Sequence, residues 1–133
     1  MRAILRSWIL VISMAPFLAG CGSERTSGPS ANPVKDALAD LGEFLKQTAN
    51  DKKKPPSKLS EMEPIEPMIP NASVAIRMGS IVYYWGATYN ADGTKIVAHE
   101  KKAPTEGGLV LLENGTIKEQ SAAEFAAAPK AKK

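Results

Sequence analysis

Two reactive side chains occur once each in this 133-residue sequence: the thiol of Cys21 and the imidazole of His99. A thiolate is a nucleophile and an acceptor for covalent modification. Imidazole is the side chain whose ordinary pKa suits proton transfer near neutrality. Such catalysis needs a nucleophile or an orienting carboxylate within hydrogen-bond reach. On the strand expected over residues 95–100, Glu100 alternates away from His99, and Ser73 and Ser80 lack a nucleophile-elbow context. Glu61, Glu63 and Glu66 form an acidic cluster without the spacing of a calcium loop, which reads as a solvated charge run. One cysteine and one histidine leave no structural zinc set. Gly107-Gly108 has no following helix and makes no phosphate cradle. No catalytic residue, metal ligand or cofactor is therefore expected. The remaining candidate is Tyr83-Tyr84-Trp85, three aromatic residues that either fill a core or offer surface to a glycan, a ligand or a protein.

The surroundings of Cys21 assign it a role. Arg2 and Arg6 make a positive start, residues 8–18 are apolar apart from Ser13 and Pro16, and small Ala19 and Gly20 precede the cysteine. These are the three parts of a secretory signal. The apolar run is about a dozen residues, short of the ~20 that a spanning helix needs. Leu18-Ala19-Gly20-Cys21 resembles the lipobox of bacterial lipoproteins. The resemblance implies cleavage before Cys21, lipid on its sulfur and, usually, acylation of the new N-terminus. Two or more acyl chains on one residue suffice for stable anchoring. Gly22, followed by Ser23, stands where Asp resembles an inner-membrane retention signal, and its absence favours the outer membrane, facing the periplasm or the cell surface.

Charge narrows the partners. Of 17 Lys and Arg, only Arg2 and Arg6 fall in residues 1–20, and none of the 14 Asp and Glu does, so the remainder carries about one positive charge. No nucleic-acid footprint follows from that balance. The expected partners are the membrane, through lipid on Cys21, and an envelope protein.

The domains expected are a signal peptide over 1–20, a polar tether over 21–32, a single domain over 33–128 and a solvated basic tail over 129–133. Residues 22–32 give a tether span of about 18 Å. Asn32 and Pro33 suit the N-cap and first position of a helix. Val34, Ala37, Leu38, Leu41, Phe44, Leu45 and Thr48 recur at helical spacing behind them. Lys52-Lys53-Lys54 and Pro55-Pro56 end that helix. Pro64, Pro67 and Pro70, three apart, suggest a polyproline II connector held down by Ile65, Met68 and Ile69. Five strands are then expected. Residues 73–77 and 80–86 flank Met78-Gly79 as a hairpin, the second strand being central because it is apolar on both faces. Residues 95–100, 108–113 and 116–119 follow, with a polar connection at 101–107. Asn114-Gly115 fits a two-residue type I′ turn. Ser121 and Glu124 have capping-box spacing for a short helix with Phe125 inward. The fold class is α+β: an amphipathic helix on a small antiparallel sheet of about five strands, with a short C-terminal helix.

Residues 107–118, Gly-Gly-Leu-Val-Leu-Leu-Glu-Asn-Gly-Thr-Ile-Lys, resemble the C-terminal hairpin of pilin-like secreted proteins of planctomycete-type bacteria. Residues 96–104 resemble the strand and loop that lead into it. Asn114 and Thr116 depart from the Asp and His common there, and the prepilin start and long hydrophobic helix are missing. The resemblance thus implies a pilin-head-like sheet packed by a helix and no filament subunit. The mature chain also resembles small lipoproteins of such bacteria, a likeness that supplies no activity. The expected function is a non-enzymatic, membrane-anchored interaction or structural module of the envelope. The alternatives are a ligand- or glycan-binding module using Tyr83, Tyr84 and Trp85, and, least supported, an enzyme.

Overall fold

The computed structural model describes residues 31–132. The expected signal peptide, Cys21, the expected tether through residue 30, and Lys133 lie outside the described residues.

Helix α1 runs over Pro33–Asn50. The Asn32 side chain accepts a hydrogen bond from the Lys35 amide at 3.1 Å, and Pro33 occupies the first position, where its missing N–H costs nothing. Ala37, Leu38, Leu41, Leu45 and Thr48 are buried on one face, as the spacing requires. Burying each leucine contributes about 1.5–3 kcal/mol. The helix ends in a Schellman motif: the Lys52 amide donates to Ala49 O at 3.1 Å and the Lys53 amide to Thr48 O at 2.9 Å. Lys52 holds the left-handed position, φ +55°, that glycine usually fills.

The proline segment is not polyproline II. Two short 3₁₀ helices, Leu59–Glu61 and Glu63–Met68, occupy it. Both conformations repeat every three residues and both accept proline's φ, so the proline spacing cannot separate them. The amide of Ile65 donating to Met62 O at 2.9 Å shows which one forms. Ile69 is fully buried and Ile65 half-buried, but Met68 faces outward.

Helix α2, Pro70–Arg77, replaces the first expected strand. Residues 73–77 span too few positions to tell a period of two from one of 3.6. Burial of Ile69 and Ala72, and half-burial of Ile76, selects the helical spacing. Pro70 starts the helix, and the Asn71 amide donates to Asp40 Oδ2 of α1 at 3.0 Å. Met78-Gly79 makes no hairpin. Gly79, at φ +71°, closes a second Schellman motif, with its amide on Ile76 O and the Ser80 amide on Ala75 O.

The sheet therefore has four strands, not about five: β1 Ile81–Tyr83, β2 Ile96–Glu100, β3 Gly108–Leu112 and β4 Ile117–Gln120. They lie in chain order and every pair is antiparallel. β1 is an edge strand rather than a central one. Its two-sided apolarity matches cover on both sheet faces. Ile81, Tyr83, Ala98 and Leu111 share the face toward α1 and α2, where Gly42 brings α1 against Leu111. Val82, His99 and Val110 share the other face, onto which Phe125 packs.

Pro104 does not break the 101–107 connection but begins a short helix, α3, Ala103–Glu106. The Asn114-Gly115 turn is not type I′, since only Gly115 has positive φ. The Gly115 amide bonds Leu112 O at 2.9 Å and the Leu112 amide bonds Thr116 O at 2.9 Å, which makes a three-residue loop with Gly115 as the bulge. Helix α4, Ala122–Ala127, carries the full capping box of Ser121 and Glu124. Beyond it the chain stays packed. The Ile96 amide donates to Pro129 O at 2.9 Å and the Ala131 amide to Ile96 O at 2.8 Å, a parallel bridge beside β2. Lys130 Nζ donates to the carbonyls of Phe125 at 2.6 Å and Ala128 at 2.9 Å and lies 4.6 Å from the Phe125 ring centroid. The packed body thus reaches Ala131.

Candidate functional site

The residues picked out by chemistry fall into separate places. Cys21 lies outside the described residues. Tyr83 and Tyr84 are buried, and Trp85 just beyond β1 is half-buried. Trp85 meets Tyr83 edge-on, with centroids 5.1 Å apart at 74°. Tyr83 donates its hydroxyl to Ala87 O at 3.0 Å, and burial raises its pKa well above the ordinary value. Burial raises Tyr84 as well. Two of the three rings are thus spent on the core, and the aromatic surface left at this place is that of Trp85.

His99 is 5% exposed on the α4 side of the sheet. Its ring lies 4.7 Å from that of Phe125 and 5.7 Å from that of Tyr84. Nδ1 is 2.8 Å from Glu100 O, and because a carbonyl can only accept, this bond places a proton on Nδ1. The Glu100 side chain is engaged elsewhere. Its Oε2 accepts from the Leu109 amide at 3.1 Å, and Oε1 pairs with Lys102 at 3.4 Å.

The acidic cluster is dispersed into local contacts. The Ser57 amide donates to Glu61 Oε2 at 2.8 Å, a bond that lowers the Glu61 pKa. Arg77 of α2 pairs with Glu66. Among the described residues, no group of His, Cys, Asp and Glu could hold a metal ion. No helix among them is long and apolar enough to cross a membrane.

The feature that sequence reasoning missed is a half-open groove of about 440 Å³ between the start of α1 and the outer face of α2. Pro33, Val34, Pro70, Val74, Ala75 and Met78 supply its apolar walls, with Asn71 and Ser80 as the polar lining, and no lining residue is charged. Val74 and Met78, one helical turn apart, are 57% and 76% exposed. The signal was present in the proline at position 70 followed by apolar residues at i+4 and i+8, once the segment is taken as a helix.

No protein-family model, curated protein or solved structure matches the chain.

Proposed function

We propose that this chain is a lipid-anchored protein of the bacterial envelope, held through Cys21, whose α+β domain works by contact and not by catalysis. One observation carries the reading: Leu18-Ala19-Gly20-Cys21 closes an apolar run that follows Arg2 and Arg6. The placement of the described domain supports it. Helix α1 begins at Pro33, and the sequence between Cys21 and its cap at Asn32 holds only polar or small residues and one proline. Contact as the mode of action is supported by the exposed apolar groove and by the enclosure of His99 between Phe125 and Tyr84. Metabolic labelling with a fatty-acid probe tests the anchor. The wild type takes the label and Cys21→Ser does not. Equal labelling of the two would refute the assignment.

A further inference from the structure

The groove between α1 and α2 has apolar walls, no charged lining residue and two projecting side chains, Val74 and Met78. The chain leading to it cannot fill it. Residues 22–32 contain only Pro29 and Ala31 as apolar side chains. The next apolar group upstream is the lipid proposed on Cys21, and this inference rests on that lipidation. Pro33, itself a wall of the groove, follows Cys21 by twelve positions. Even fully extended, that length reaches only about 40 Å. The chain therefore joins the domain at the groove, and an anchor at Cys21 keeps this end within about 40 Å of the bilayer.

We propose that the groove face docks on the lipid bilayer, with Val74 and Met78 entering the boundary between head groups and acyl chains. A surface-bound helix places its apolar face about 5–10 Å into that boundary. Short tethers hold their cargo at effective concentrations of roughly millimolar. Contacts too weak to hold a free domain then suffice, and two apolar side chains one turn apart orient the domain rather than anchor it. The projection of Val74 and Met78 favours lipid over a peptide ligand, which would be gripped by side chains turned inward.

The test uses the full chain made in a bacterium that processes lipoproteins, purified and returned to vesicles of phosphatidylethanolamine and phosphatidylglycerol. Intact mass reads the lipid on Cys21. Met78→Trp places a reporter in the groove wall, and Glu119→Trp places one on β4, the sheet edge farthest from β1 and α2. Brominated lipids are expected to quench the added fluorescence of Met78→Trp about twofold more, or better, than that of Glu119→Trp. Val74→Trp repeats the measurement should Met78→Trp fail to fold. Equal quenching at both sites, with Cys21 lipidated, overturns the docking and leaves the anchor standing. Shielding of Met78→Trp from aqueous acrylamide without quenching by lipid assigns the face to a second copy of the chain and also overturns it. A mass without lipid on Cys21 removes the tether and overturns both readings.

Discussion

Gly107 joins α3 to β3, and replacing it with alanine should be among the most damaging single-methyl changes in the domain. Its backbone sits at φ +80°, ψ 167°, a region that is essentially glycine's own. Holding an alanine there costs about 1–3 kcal/mol. Sterics add to it. A Cβ would stand 2.7 Å from Gln120 O and 3.1 Å from Ser121 Cα, and both neighbours are backbone. Neither can rotate away as a side chain could. Relief requires the end of β4 to leave β3, where Gly108 faces Gln120 across the ladder. Each net hydrogen bond lost there costs about 1 kcal/mol. The movement also drags Ser121, whose side chain caps α4. The sum is about 3–5 kcal/mol, a large part of the ~5–15 kcal/mol that keeps a domain folded. Gly79→Ala is the internal control. It too has positive φ, +71°, but nothing lies within 4 Å of its Cβ position. It should cost only the left-handed penalty of about 1–2 kcal/mol. Urea unfolding of the two variants, followed by circular dichroism, measures the difference. A Gly107→Ala loss no greater than that of Gly79→Ala would refute the argument that backbone contact sets the cost.

Three further outcomes can be checked on the same protein. Lys52→Gly should stabilise the domain by about 0.5–1 kcal/mol, because glycine relieves the left-handed strain at φ +55° while adding some unfolded-state entropy. The sign is read as a rise in the urea midpoint at unchanged slope. Burial raises the Tyr83 pKa above its ordinary 10.0, so the folded state keeps a proton that the unfolded chain gives up. Stability is then full below pH 10 and lost as pH rises above it, by at most about 1.4 kcal/mol per pH unit for this group. Tyr83→Phe should flatten that alkaline slope in melts between pH 9 and 11 (roughly the range over which tyrosine ionises), although it gives up the bond to Ala87 O. The bonds from Ser121, first its backbone amide and then its hydroxyl, lower the Glu124 pKa below 4.5. Its contribution is present above that value and fades as pH falls through the lowered one. Glu124→Gln should therefore melt below the wild type at neutral pH, and the gap should close in acid.

What was legible in the residues follows from how locally each feature is determined. Helix α1 could be read because its cap at Asn32, its first-turn proline and its apolar stripe all lie within one segment and agree. The α4 capping box is local in the same way. The α+β class followed from these elements and from the short apolar runs at 95–100 and 108–113. Helix α2 was not legible, since residues 73–77 fit two periodicities and the deciding contacts come from α1. The three prolines set a repeat of three without choosing between two backbones that share it. Asn114-Gly115 located a turn correctly, while the exact loop depends on the strand register around it. The solvated tail expected at 129–133 missed a bridge to Ile96, which no local pattern announces. The site divides the same way. Lipidation at Cys21 is a proposal drawn from a contiguous motif that lies outside the described residues. The groove was hidden because its walls come from two helices, and residues 73–77 of one of them fit a strand equally well.

The bridge from Ile96 to the last turns of the chain has a consequence in time. Ile96 bonds through its amide to Pro129 and through its carbonyl to Ala131. Helix α1, made first, rests on Leu111 of β3. Synthesis runs from the N-terminus, so α1 and α2 emerge long before the surface they cover, and β2 waits longer still for its outer partner. An early fragment of α1 and α2 can pack only on itself, because the sheet face it covers is made later. The packing around β2 is therefore complete only once residues 108–131 are present to pair with it.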